Sequence, residues 1–276
     1  MSVEFERCLK AQKRCNVRQI LCYAKKYHTV LQTGDGSTIV NLQSPAVRRH
    51  VLESLTIYSK YIGKYNIWKD ICTKYQLKWG NSEQDNLRYF INYLHGSGNL
   101  DQMIGWLKDT LNKVLPQVGN VLLYNTLTGL RPTESLLSIR LIQTDFDNYT
   151  NQELGILQNF KYPEFISKKT KKSYITVYDS IILDIARNCI PLIPSWDAIR
   201  SHLKRRGVSS IHTKYCRAIF ATYLRKSRVE QEIIDIYQGR VPSTIFQAHY
   251  MKTNIKEDRE RILNALHKLK QEISLK

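Results

Sequence analysis

The side chains best suited to chemistry in this chain are basic, and their settings suit a phosphate. Arg131 lies in TGLRPTESLLSIRL at 128–141. Gly129 fits the left-handed residue that ends one helix, and Pro132 fits the first turn of the next. Arg131 then stands at a helix N-terminus, where free backbone N–H groups already favour an anion. Glu134, three residues on, is placed to orient the guanidinium or to cap the helix. In HTKYCRAIFATYLRK at 212–226, Lys214 and Arg217 are three apart and so are neighbours on one helical face. Two fixed cations side by side suit a phosphate diester. Arg240 follows Gly239, a C-cap for the amphipathic run that ends at Tyr237. A proline-bearing turn and a short apolar stretch lead on to His249 and Tyr250, and a tyrosine so placed packs in a core or an interface by default.

The elements that must hold these residues are mostly helices. NVRQILCYAKKYHTVL repeats apolar residues at Ile20, Leu21, Tyr23 or Ala24, and Tyr27, a helical spacing. TGDGST at 33–38 reads as a loop. Ser44-Pro45 is an N-cap followed by proline at the first helical position, and another helix is expected over Ile67 to Tyr75. WGNSEQDN at 79–86 breaks the periodicity and is read as a linker, or as a loop starting the next domain. LRYFINYL, LDQMIGWLKDTLNKVL and GNVLLYNTL continue the helical pattern, and Cys216, Ile219, Phe220, Tyr223 and Leu224 form one apolar face further on. FKYPEFIS and SYITVY, on either side of KKTKK at 168–172, read as a β-hairpin. The expected fold is mainly α with a small β-hairpin or sheet, in two domains: a helical part at 1–82 and a second part at 83–276.

Composition agrees with a polyanion as partner. Forty-two Lys and Arg against 24 acidic residues give a formal net charge of +18 over 276 residues. The surplus is uneven. Arg7, Lys10, Lys13, Arg14, Arg18, Lys25 and Lys26 have no acid among them, and neither do the nine basic residues between Asp197 and Glu230. Two such runs in two domains suggest a clamp on a duplex. Hydrophobic residues make up 42%, enough for a packed core. No apolar run approaches the roughly 20 residues of a membrane span. The charged start MSVEFERCLKAQKRC does not read as a signal peptide, so a cytoplasmic location is expected. Cys8, Cys15, Cys22, Cys72, Cys189 and Cys216 include no C-x-x-C pair, so neither a zinc site nor a disulfide framework is expected. Cys8, Cys15 and Cys22, seven apart, would share one helical face as small buried side chains.

Taken in order, G-L-R-P-x-E around Arg131, a lysine-rich hairpin, Lys214-x-x-Arg217, Gly239-Arg240 and Tyr250 resemble the tyrosine recombinase (integrase) family. The resemblance is closest to integrases of archaeal viruses and mobile elements. It covers most of 119–252, and its specificity lies in the ordered set. In some members of that family Lys fills the first position of H-x-x-R and Arg the position after the later Gly, and both departures from the commoner His and His or Trp occur here. The N-terminal region resembles the family's core-binding domain by type and size, and the second part its catalytic domain.

The resemblance implies a site-specific recombinase that integrates or excises a mobile element. Tyr250 would attack a backbone phosphorus, forming a 3′-phosphotyrosyl link and freeing a 5′-hydroxyl. The link conserves the bond energy, so no ATP, metal or other cofactor is expected. A phenol with a pKa of roughly 10 needs a proton acceptor or cationic surroundings. Arg131 and Arg217 would hold the non-bridging oxygens, with Arg240 as a third cation. A lysine of the 168–172 turn would protonate the departing oxygen. Lys171 is favoured, with Lys169 and Lys172 as alternatives. Arg240 stays protonated and cannot be a base. Lys214 could serve only with a depressed pKa. His249, His212 or water are the other acceptors. The implied partners are double-stranded DNA attachment sites and, on DNA, three further copies in a homotetramer. The enzyme would be nucleoid-associated, in the host cell if virus-encoded. The leucine face at 262–269 suits packing on a neighbouring subunit or on its own domain. A type IB topoisomerase, a non-catalytic DNA-binding protein of the same fold and a helical protein-interaction module are the competing readings.

Overall fold

A computed structural model describes residues 2–14, 16–80, 83–94, 99–166, 172–189, 195–240 and 254–273. The chain divides into two compact units, Met1–Ser97 and Gly98–Lys276. Both are dominated by helices, and among the described residues the only sheet has three short strands. None of the described helices is long and apolar enough to cross a membrane.

The first unit contains α1 (Val3–Ala11), α2 (Val17–Tyr27), α3 (Val30–Thr33), α4 (Ser37–Val40), α5 (Pro45–Tyr61), α6 (Tyr65–Lys74) and α7 (Glu83–Leu94). Helix α2 buries Ile20, Ala24 and Tyr27, the stripe its spacing predicts. Helix α5 starts where Ser44 accepts a hydrogen bond from the Val47 amide, with Pro45 in the first turn. A cap of this kind is worth about 1 kcal/mol. Leu52, Leu55, Ile39 and Trp68 close the core, and Trp68 Nε1 donates to Thr56 Oγ1 at 2.8 Å.

Two expectations fail here. The seven-residue cysteine spacing does not mark one helical face. Helix α1 ends at Ala11, Lys13 turns left-handed with φ 51°, and α2 starts anew at Val17. Cys8 is half-buried and Cys22 exposed on different helices, and Cys15 lies outside the described residues. The polar stretch 79–86 is not all linker either, since α7 begins at Glu83. Glu83 and Asp85 sit in its first turn, where the helix dipole favours acids, and Asp85 pairs with Arg48 on α5 at 2.6 Å.

The second unit contains α8 (Leu100–Lys113), α9 (Pro116–Thr128), α10 (Pro132–Thr144), α11 (Phe146–Tyr149), β1 (Thr150–Asn151), β2 (Ile156–Leu157), a 3-10 turn (Asn159–Lys161), α12 (Pro163–Ile166), β3 (Thr176–Val177), α13 (Ser180–Arg187), α14 (Trp196–Arg205), a second 3-10 turn (Ser210–Thr213), α15 (Lys214–Lys226), α16 (Gln231–Tyr237) and α17 (Ile255–Ile273). The sheet runs β1-β2-β3, antiparallel throughout, with Thr150 opposite Leu157 and Leu157 opposite Thr176. The expected hairpin is therefore displaced. SYITVY does supply β3, but residues 159–166 fold as a 3-10 turn and one helical turn, and β3 pairs with 156–157 instead. Pro163, with no N–H and a fixed φ, favours the first turn of a helix over a strand. The 3-10 turn still donates one bond across, from the Phe160 amide to the Tyr174 carbonyl at 2.9 Å.

Helix α15 is the centre of this unit. Cys216, Ile219, Phe220, Tyr223 and Leu224 are buried, the face the sequence predicts. Each large apolar side chain so buried contributes about 1.5–3 kcal/mol. Helix α17 puts Ile262, Leu263, Leu266 and Leu269 into the same core, so its leucine face packs on its own unit.

Helix α17 is also held by charge. Asp179 caps α13 by accepting from the Ile182 amide at 2.7 Å. Its other oxygen accepts from Lys270 Nζ at 2.7 Å and His267 Nε2 at 2.8 Å. Burial alone would raise this carboxyl's pKa, but the bonds from Lys270, the Ile182 amide and His267 together outweigh it and hold the pKa low. A depressed carboxylate pKa contributes stability above its unfolded value of roughly 3.9, and that stability is lost as pH falls through the folded value. Asp179→Asn keeps the helix cap and removes the charge. It should lower unfolding stability by roughly 1–3 kcal/mol at pH 7. Chemical denaturation at several pH values should show the gap closing below pH ~4. A gap that persists at pH 2.5 would argue against a charge-based latch.

Candidate phosphate-binding site

The turn that carries Arg131 is built by its neighbours. Gly129 has φ +62°, and the ring of Phe220 occupies the space where a side chain at 129 would stand. The absence of a Cβ thus lets α15 close on the end of α9. Asn125, buried on α9, donates to the Leu130 carbonyl at 2.8 Å and to Ser135 Oγ at 2.6 Å, fixing the turn between the helices. Arg131 occupies the N-cap of α10. Glu134 accepts from its backbone N–H at 3.0 Å and from its Nη1 at 2.8 Å, so one carboxylate both caps the helix and aims the guanidinium. Both roles considered for Glu134 are present.

Arg217 meets Arg131 across the segment that follows α16. Its Nη2 donates to the Gln238 carbonyl, and Gln238 Nε2 returns a bond to the Arg217 carbonyl at 3.0 Å. Gly239 has φ +67°, a backbone turn that suits a residue without a side chain. Its carbonyl accepts from Arg131 Nη2 at 3.4 Å and from the Lys172 amide at 3.2 Å. Arg240 comes next, exposed, with its backbone N–H on the Asp235 carbonyl and its Nη1 on Asp235 Oδ1 at 2.6 Å. Two adjacent carbonyls thus collect Arg131, Arg217 and the residue that leaves the lysine turn.

Electrostatically the site is short of negative charge. Arg217 is pushed down to about 10, first by burial, then by Arg131, with Glu134 opposing and Arg240 adding to the fall. It remains a cation at neutral pH, but a poorly accommodated one. Its Nη1 is buried and has no hydrogen-bond partner among the described residues. A buried charged donor left unpaired is costly, and an oxyanion placed there would remove the cost. Three guanidinium groups against two carboxylates leave room for a phosphate diester.

The remaining expected residues divide in two. Lys214 is exposed at the first position of α15, one turn before Arg217. Lys172 is half-buried, anchored by its backbone. His212 is half-buried, stacked on Tyr215 at 4.7 Å between ring centroids and edge-on to Trp106, with Nδ1 unpartnered among the described residues. Tyr250, His249, Lys169 and Lys171 lie outside the described residues. Sequence reasoning missed Gln238. Its side chain is 2% exposed, and its position directly before Gly-Arg was the available signal. Among the described residues no group of His, Cys, Asp and Glu could hold a metal ion.

No curated protein matches the chain. A family model described as Archaeal phage integrase matches residues 121–262, a span that runs from α9, through Arg131, the lysine turn, Arg217 and Arg240, into α17. With its ordered motifs, its helical second unit and its guanidinium cluster, the chain belongs to the archaeal phage integrase family.

Proposed function

We propose that this chain is a site-specific DNA recombinase that cuts and rejoins strands through a covalent 3′-phosphotyrosyl intermediate. Family membership points to DNA binding and to recombination or integration. The observation that most supports the finer reading is the buried Arg217 Nη1, without a partner among the described residues, beside Arg131 and Arg240. Tyr250 Oη attacks phosphorus as the bond from phosphorus to the 5′-oxygen breaks. The phenol proton goes to an acceptor, with Lys214, His249, His212 and water as the candidates. The 5′-oxygen takes a proton from a lysine of the 168–172 turn, Lys171 by preference over Lys169 and Lys172. Arg131 and Arg217 hold the non-bridging oxygens, and Arg240 adds positive potential. Forked bonds from these groups strengthen as charge gathers in the transition state. The reverse reaction with the 5′-hydroxyl of another strand rejoins the DNA without an energy source.

In this reading the first unit is the DNA clamp and the second the catalytic part, and four copies assemble on paired attachment sites. The decisive experiment uses a nicked duplex carrying a candidate attachment site, which traps the cleaved state. The parent protein should form a protein–DNA adduct stable to denaturation, and Tyr250→Phe should form none. An adduct of equal yield in the variant would overturn the assignment. Relaxation of plasmid lacking any attachment site would favour the topoisomerase reading.

A further inference from the structure

The three guanidinium groups of the cluster are aimed by two kinds of partner. Arg131 bonds the Glu134 carboxylate, and Arg240 bonds the Asp235 carboxylate. Arg217 has no carboxylate partner among the described residues, and its Nη2 donates to the neutral carbonyl of Gln238. A carboxylate in that place would grip the fork more firmly, but it would also compete with an incoming phosphate. A neutral acceptor leaves the whole positive charge for the anion. The aim of Arg217 then depends on where one carbonyl oxygen is held.

That oxygen is fixed from two sides. The amides of Gln238, Gly239 and Arg240 turn back onto the carbonyls of Ile234, Ile236 and Asp235, closing the end of α16. The Gly239 amide belongs to the same peptide plane as the Gln238 carbonyl, so its bond to Ile236 at 3.0 Å holds one edge of that plane. The Gln238 side chain ties the same residue to α15, because its Nε2 donates to the Arg217 carbonyl at 3.0 Å. The two bonds between Arg217 and Gln238 run in opposite directions and close a ring across 21 residues. Gln238 is 2% exposed, so little water competes for either bond. The next carbonyl, that of Gly239, accepts from Arg131, so a tilt at 238 would reach both arginines. An apolar side chain would fill this buried place with less desolvation, but it would leave α15 and the carbonyl free to part.

We propose that Gln238 is a positioning residue for Arg217, holding the carbonyl that aims the guanidinium at a non-bridging phosphate oxygen. Gln238 itself touches no reacting atom. The inference rests on the reading that Arg217 binds the scissile phosphate. The test uses Gln238→Met, which keeps the length of the side chain and removes its amide. Melting curves at rising inorganic phosphate give the affinity of the folded protein for the anion. The rise that remains in Arg217→Met is the general salt effect of phosphate and is subtracted. An arginine that is no longer held must be ordered as the anion binds, which weakens affinity on the order of 3- to 10-fold. In strand cleavage a misplacement of about 1 Å forfeits on the order of 100-fold.

Gln238→Met should bind phosphate roughly 3- to 10-fold more weakly than the parent. At saturating nicked duplex it should cleave on the order of 10- to 100-fold more slowly. Gln238→Ala leaves room for a water in place of the amide, so it should show the same pattern more weakly, and it serves if the methionine variant does not fold. A variant that melts earlier but keeps the parent's phosphate affinity would make Gln238 a structural brace and overturn the positioning role. Cleavage within about threefold of the parent would overturn it as well. If Arg217→Met gains as much from phosphate as the parent does, Arg217 does not hold the anion. That reading then falls, and this inference falls with it.

Discussion

Replacing Arg217 by methionine should reduce strand cleavage by on the order of 1,000-fold or more while leaving the fold standing. The side chain is held by the Gln238 carbonyl through Nη2 and offers Nη1, buried and without a partner among the described residues, to whatever anion enters. In so enclosed a place a charged donor is worth far more than in water, because no solvent competes for it. The effect on stability should be small. Removing a buried cation that burial and Arg131 already disfavour stabilises the fold, and the lost bond to Gln238 offsets it. Inorganic phosphate separates the two effects. It should raise the melting temperature of the parent, since a ligand that binds only the folded state adds RT ln(1 + [L]/Kd), and the gain should be largely absent in Arg217→Met. Arg217→Lys keeps the charge and loses the fork, so it should fall between the two. Cleavage by Arg217→Met within tenfold of the parent would remove Arg217 from the reaction.

Gly239→Ala should cost both stability and activity. The left-handed backbone at φ +67° disfavours an L side chain by roughly 1–2 kcal/mol. A Cβ at 239 would also stand 2.5 Å from the Lys172 oxygen and 2.8 Å from Ser173 Cα. Both neighbours are backbone, so residues 172–173 must move, and the total should reach about 2–4 kcal/mol. That shift pulls the Gly239 carbonyl from Arg131 and the Lys172 amide at once, so cleavage should fall even where the variant is fully folded. Gly207→Ala is the control. Its φ of +69° carries the same backbone penalty, but nothing lies within 4 Å of the added Cβ. Urea unfolding of the two variants isolates the clash as the difference in midpoint at an unchanged slope. Equal midpoints would mean that residues 172–173 yield without strain.

Short-range features were legible from residue order. The cap at Ser44, the buried stripe of α2 and the apolar face of α15 follow from side chains within a turn or two of one another. The cysteine spacing misled because periodicity alone does not register a break, and the left-handed Lys13 ends the helix between two members of the series. The hairpin was half legible. The β-branched run at 175–177 marked β3, but its partner at 156–157 is two residues long, too short for an alternating pattern to stand out.

Residue order by itself determined the kind of protein. Helical periods, a basic surplus and the order Arg131, lysine turn, Lys214-x-x-Arg217, Gly239-Arg240 needed no coordinates, because each is carried by neighbours in sequence. Only the tertiary structure decided that Arg131 and Lys172 share the carbonyl of Gly239, with Arg217 bound to the one before it, and that Asn159 bonds Ser173 and Thr176 inside the core. The bond from Arg131 to Gly239 closes a loop of 108 residues. No local preference specifies such a contact. It forms because Phe220 on α15 packs where Gly129 has no side chain, and that packing belongs to the whole core.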